Sequence, residues 1–296
     1  MDGSEPCGFF VGPALRAGSD DPSDGEKKGI PMKRIRLARI AMLAVFGVLL
    51  PSLGSAEGPS SEALAAGEIV KKARDKQFPE NSVSELTMVL INKRGSERSR
   101  KLTTKRKNYG NGEAKSVAYF LSPADVKGTA FLVWEHADQP NDVFIYLPAL
   151  KKIRRIASEQ KHQSFMGSDF SYADMENEDV DNAAHRILSE EDLDGKACWV
   201  IESIPKPDSD SEYGRLVSWV DKAEFIPRKV EFFDKNGRPY KTMQVLRTGP
   251  VGAEILPLHL SMENVQKNHK TEITIDKIEI GQEIPDEEFT HRAIQR

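Results

Sequence analysis

Six histidines, His136, His162, His185, His259, His269 and His291, are the side chains best suited to hold zinc or move a proton, yet no two stand four residues apart. A zinc site built on one helix face needs that spacing, so no zinc signature exists. Cys198 is the one cysteine after Cys7 and lies between Ala197 and Trp199 in an apolar stretch. A small buried side chain is the ordinary use of cysteine there, since a nucleophile would need a base that the sequence does not place. The acidic stretch Asp174, Glu176, Glu178, Asp179 and Asp181 alternates as a calcium loop does, but it lacks the glycine and the closing glutamate of such a loop and reads as solvated charge. No nucleophile elbow, phosphate-cradling loop or dinucleotide fingerprint occurs in residues 57–296. These absences predict a protein that is not an enzyme and uses no cofactor or metal.

The chemistry that is legible is apolar. Phe131-Leu132-Val133-Trp134, Val143-Phe144-Ile145-Tyr146-Leu147 and Trp199-Val200-Ile201 are strand-like and apolar on both faces. A sheet of that kind has either helices on its second face or a cavity there for an apolar ligand, a filled sandwich core being the plainer alternative. Alternation marks Leu86, Met88, Leu90, Phe131, Val133, Phe144, Tyr146, Trp199 and Ile201 as candidates to line such a cavity. A register error of one residue would exchange the sets of Phe131 with Val133 and Leu132 with Trp134. Residues 158–181 break the strand rhythm with aromatics among polar residues. Phe165, Met166, Phe170 and Tyr172 are therefore candidates for a lid, or for a crossover loop that plugs the sheet end. Basic residues gather at 93–107 and 151–155, where Arg98, Arg100, Lys151 and Arg154 are candidates for docking a partner, against the ordinary protection of edge strands by charge.

The elements that must position these residues are mostly strands. Ser60 or Ser61 can cap a helix to about Phe78, with Ala66, Ile69, Val70 and Ala73 on one face. Strand signals follow at 84–91, 97–107, 115–121, 129–135, 142–147 and 151–157. They resume at 183–189, 197–204, 214–221, 227–234, 239–247, 254–265 and 270–280. Turns at Asn92–Gly95, Asn108–Gly112, Asp192–Gly195 and Asp234–Gly237 make consecutive strands antiparallel. So many strands in one meander must curl, because twist accumulates. The expected fold is mainly β, a strongly curved antiparallel sheet forming an unclosed barrel, with helices at 62–78, near Tyr172 and near Pro285–Phe289 covering part of its concave face.

Lys33, Arg34, Arg36 and Arg39 precede an uncharged run, Ile40 to Leu53, that ends in Gly54-Ser55-Ala56. This is the three-part layout of a secretory signal, too short to span a membrane, with cleavage expected after Ala56. Residues 1–31 are a disordered or mis-assigned extension, with Met1 and Met32 both open as the start. Residues 57–296 then form a single exported domain carrying 35 basic and 40 acidic residues, a balance that argues against nucleic acid as a partner. Glu57 follows the cleavage site, so no lipid anchor is expected, and Cys198 alone allows no internal disulfide.

The runs SPADVKGTAFLVWE at 122–135, DVFIYLPALKKIRRI at 142–156 and SFMGSDFSYADM at 164–175 resemble the periplasmic outer-membrane lipoprotein-sorting proteins of the LolA-like, or lipoprotein carrier, superfamily. GKACWVIESIPK and FFDKNGRPYK agree with the later hairpins of that family. The resemblance implies an unclosed half-barrel with a helical lid, enclosing acyl chains of a lipid or lipoprotein in transit between inner and outer membrane. By analogy it implies an inner-membrane exporter of the resistance-nodulation-division (RND) type as donor, transient membrane contact and no catalytic residues. The alternatives are a lipid-sensing regulatory or transporter-accessory binding module and, less favoured, a hydrolase of envelope lipids.

Overall fold

A computed structural model describes residues 61–77, 79–176 and 180–295. The expected extension, the signal segment, Ser60, Phe78, Glu178 and Asp179 lie outside the described residues. A helix, α1 (Ser61–Gln77), comes first. It is followed by β1 (Ser82–Ile91), β2 (Glu97–Gly110), β3 (Glu113–Ser122), β4 (Ala130–Glu135), β5 (Asp142–Leu147) and β6 (Lys152–Arg155). After residues 156–182 come β7 (Ala183–Leu193), β8 (Lys196–Pro205), β9 (Tyr213–Asp221), β10 (Pro227–Asp234), β11 (Pro239–Val251), β12 (Glu254–Asn264) and β13 (His269–Glu279).

All thirteen strands join one antiparallel sheet in the order β6-β5-β4-β3-β2-β1-β13-β12-β11-β10-β9-β8-β7. The sheet is mainly β and unclosed, as expected, but it is not one meander. Two meanders join where β1 pairs with β13, from Val83 opposite Glu279 to Ile91 opposite Lys270. β6 and β7 therefore stand at opposite edges, and the segment between them has to cross from edge to edge. Hairpin turns encode only neighbouring pairs, so the pairing of β1 with β13 left no local mark in the sequence.

Local turn chemistry is as the sequence reads. Asp234 Oδ1 accepts from the backbone N–H of Asn236 at 2.9 Å and of Arg238 at 3.0 Å, and Gly237 takes φ +76°. That array of donors holds the Asp234 carboxyl down at about 2.

The sheet has an inner and an outer apolar face. Inside, Met88, Leu90, Leu102, Phe120, Phe131, Val133, Val143 and Ile145 pack with Phe165. Outside, Val117, Leu132, Phe144 and Tyr146 lie under Ile284, Phe289 and Ile294 of the C-terminal segment. Trp134 Nε1 donates to the Phe289 carbonyl at 2.9 Å, and the His291 ring stacks on Trp134 at 5.1 Å between centroids. The expectation that residues 285–289 cover the concave face is thus corrected. They cover the opposite face, because the two faces of β4 and β5 are equally apolar and alternation cannot say which one a distant segment meets.

α1 sets Ala66, Ile69 and Ala73 against Ile201 and Val220, beside Ile187 and Trp199. Its small alanines let the helix approach the β7–β9 end closely while the rest of the inner face stays open. Arg106 and Glu135 form a buried bidentate pair at 2.6 and 2.7 Å.

Candidate functional site

Residues 156–176 run over the inner face. Their centre, Ser164–Ser171, is a tight loop in which the Phe165 N–H donates to the Phe170 carbonyl at 2.7 Å, with positive φ at Met166 (+52°) and Gly167 (+80°). This geometry turns Phe165 and Phe170 the same way, into the sheet. Phe165 packs edge-on to Phe131 at 5.0 Å and against Phe120 at 5.8 Å, with Tyr172 beside both Phe131 and Phe165. Phe170 joins Val230, Phe232, Met243 and Met262 on the other side. The loop is both a crossover and a cover.

Polar contacts fix it to the wall. Arg100 Nη1 donates to the Met166 carbonyl at 2.5 Å. The Asp169 carboxylate accepts from Thr271 Oγ1 at 2.7 Å and lies 2.6 Å from His269 Nδ1. Further along, Asp174 Oδ1 accepts from the Tyr213 hydroxyl at 2.8 Å, and Lys241, only 4% exposed, donates to Asp174, Glu212 and Tyr213. Burial pushes the Tyr213 hydroxyl well above its ordinary value, the neighbouring Asp174 and Glu212 adding to it. Burial would lower the Lys241 ammonium, but Asp174 and Glu212 outweigh that and hold it up. Glu176 receives Lys161 at 2.7 Å, and burial still raises its carboxyl. The reading of this acidic stretch as solvated charge is overturned for Asp174, whose partners Tyr213 and Lys241 come from β9 and β11, and for Glu176, which pairs with Lys161 of the same crossover segment.

Beneath the cover and α1 lies a cavity of about 970 Å³. Leu86, Met88 and Leu102 line it from one side and Leu216, Val230 and Leu260 from the other, with Ile273 and Ile275 between. A volume near the top of the usual range for ligand sites, with this apolar wall and a polar rim that includes Arg106, Lys161, Asp174 and Glu176, suits a long amphiphilic ligand rather than a compact polar one.

Of the residues singled out in the sequence, Leu86, Met88, Phe131, Phe165 and Phe170 line the cavity. Leu90 and Val133 pack in the inner core beside it, with Tyr172 against them. Met166 and Leu90 face a second pocket of about 400 Å³ beyond the loop tip. Phe144 and Tyr146 are on the outer face, because Leu132 pairs with Phe144 and Phe131 with Ile145. Val143 and Ile145 therefore share the face of Phe131 and Val133. Ile201 and Trp199 belong to the packing under α1. Arg98, Lys151 and Arg154 are exposed, whereas Arg100 is 8% exposed and holds the loop, out of reach of a docking partner. Sequence reasoning missed the β9–β13 wall. Alternation in β10 and β12 was a usable signal, but nothing said which half of the sheet the cavity favours.

The architecture is an unclosed antiparallel half-barrel whose crossover segment covers part of a largely apolar cavity. A family model described as "Uncharacterized protein" matches residues 112–296. A structure of an outer membrane lipoprotein-sorting protein domain from Vibrio parahaemolyticus is 29% identical, with a TM-score of 0.74, covering 79% of this chain and 100% of that one. A DUF1329 family protein from Desulfovibrio piger is likewise 29% identical, with a TM-score of 0.75 and the same coverage. A LolA superfamily protein from Nitrosomonas europaea shares the fold at 20% identity and a TM-score of 0.62, over 77% of this chain and 98% of that one. A search of the curated proteins gives no match. The chain belongs to the family which that model describes, and its fold is the LolA-like one. Among the described residues no helix is long and apolar enough to cross a membrane.

Proposed function

We propose that residues 57–296 are the mature form of a periplasmic carrier that holds acyl chains of a lipid or lipoprotein in the cavity and moves them between inner and outer membrane. One observation carries the proposal, the cavity of about 970 Å³ whose wall of Leu86, Met88, Leu102, Leu216, Val230, Leu260, Ile273 and Ile275 the chain's own side chains do not fill. Each CH₂ moved from water into such a site gains about 0.8 kcal/mol, so a long chain is held firmly without catalysis or cofactor. Firm holding makes release the step that needs a partner. A donor of the RND type, transient membrane contact and release from a signal peptide at 32–56 complete the proposal, supported by the signal-like segment and by the lipoprotein-sorting relative.

Native mass spectrometry, with lipid extraction, of the protein isolated from its own periplasm tests it. A stoichiometric acyl-bearing ligand is expected. A clean apoprotein that also fails to take up added lipid would refute the carrier.

A further inference from the structure

The second pocket, about 400 Å³, lies on the same inner face as the cavity, past the tip of the crossover loop. The two adjoin through chain neighbours: Phe165 borders the cavity and Met166 the pocket, and on β2 Leu102 borders the cavity and Arg100 the pocket. Its walls combine apolar Leu90 and Met166 with Arg98, Arg100 and His269. Register explains the grouping. Arg98 is opposite Leu90 and Arg100 opposite Met88, so both guanidinium groups project to the inner face two residues apart.

Arg100 is the unusual member. It is 8% exposed, yet among the described residues no carboxylate stands within ion-pair distance, and its one hydrogen bond there, to the Met166 carbonyl, holds the loop. It also lies over the Phe120 ring at 5.9 Å. Burial pulls its ionisation below the ordinary value, with Asp125 opposing from beyond ion-pair distance and Arg98 adding to the depression. Arg98 has no ion pair among the described residues. Asp169, which touches the pocket's His269, is committed to that ring and to Thr271. Buried charges in proteins are ordinarily paired, and two like charges are not ordinarily left together beside an apolar wall.

We infer that this pocket binds an oxyanion, a phosphate or carboxylate, and that in the proposed carrier the oxyanion is the headgroup of the amphiphile whose chain fills the cavity. The second clause rests on the carrier reading; the first does not. The planar donor forks of Arg98 and Arg100 suit the paired oxygens of either group, and Leu90 and Met166 suit the first methylenes that follow it. The cargo class becomes an anionic amphiphile rather than a neutral one.

The test compares a long-chain alkyl phosphate with the alcohol of the same chain by titration calorimetry, with inorganic phosphate as a third titrant. The proteins are the wild type, Arg98→Gln, which alters an exposed side chain and leaves folding intact, Arg100→Gln, and Leu260→Trp, which fills the cavity. The wild type is expected to prefer the alkyl phosphate by about tenfold or more, the yield of a charge-assisted hydrogen bond. Arg98→Gln and Arg100→Gln bring the two affinities together, whereas Leu260→Trp weakens both amphiphiles. Equal affinity of the wild type for phosphate and alcohol overturns the oxyanion pocket and leaves the carrier standing. Binding of inorganic phosphate that depends on Arg98, with neither amphiphile bound, keeps the pocket as a free-phosphate site and sinks the carrier. No binding of any titrant overturns both.

Discussion

On the outer side of β4 and β5, Leu132, Phe144 and Tyr146 are covered by Ile284, Phe289 and Ile294 of the same chain, with Trp134 bonded to the Phe289 backbone. On the inner side the covering segment supplies Phe165 and Phe170, and these two rings close only part of the face. Equal hydrophobicity thus has two outcomes. Where the chain provides its own cover the surface becomes core, and where the cover is incomplete the remaining aliphatic wall becomes a cavity. The difference lies in the supply of covering side chains and not in the composition of the sheet.

If that contrast is right, removing a covering ring outside should cost stability alone. Phe289, 1% exposed, is expected to lose about 3–5 kcal/mol on Phe289→Ala, read from urea unfolding, with the ligand content of the folded fraction unchanged. A change in ligand content instead would show that the outer face is also a site. The same truncation inside, Phe165→Ala, is expected to cost less, about 1–3 kcal/mol, because the crossover loop opens locally. Hydrogen exchange should speed up in residues 164–171 while β4 and β5 stay protected, and uniform loss of protection would make the loop part of the global core. Smaller still, Leu260→Trp should shift stability by no more than about 1 kcal/mol, since the ring enters empty space. Acyl-ligand uptake should nevertheless fall by about tenfold or more, each displaced CH₂ forfeiting transfer energy. Unchanged uptake would mean that the β12 wall is not the site.

Acidity separates cover from wall. Burial raises the Glu176 carboxyl of the covering segment, so its ionised form is the disfavoured one. As pH falls from neutral through the raised folded value towards the unfolded one, about 4.3, the folded state gains protons first and the cover should tighten. Burial also acts to raise Asp221, but the hydrogen bond from Arg228 and those from the Ala223 and Glu224 N–H groups outweigh it, and its carboxyl is lowered. The stability it gives is present above its unfolded value, about 3.9, and is lost as pH falls through the folded one. Hydrogen exchange of residues 164–176 in Glu176→Gln, and acid unfolding of Asp221→Asn, should each lose the corresponding slope. If Glu176→Gln leaves the cover's pH response intact, that carboxyl does not set it.

Much of this was written in local sequence. The thirteen strands, the helix with its small inner face and the tight turn at Asp234–Gly237 follow from alternation, capping and glycine, all of which act over a few residues. The covering aromatics Phe165 and Phe170 were visible as apolar residues in a polar break. The faces were not visible. Phe144 and Tyr146 looked no different from Val143 and Ile145, and Asp174 and Glu176 looked solvated until Lys241 and Lys161 met them.

The amino-acid sequence by itself therefore determined the elements and the surplus of apolar surface, because both depend on interactions between near neighbours and on composition. Tertiary structure alone decided that β1 joins β13, that the C-terminus seals the outer face, and that the inner face keeps a cavity. Each of these depends on a contact between segments a hundred or more residues apart, whose register is fixed by packing rather than by any local signal.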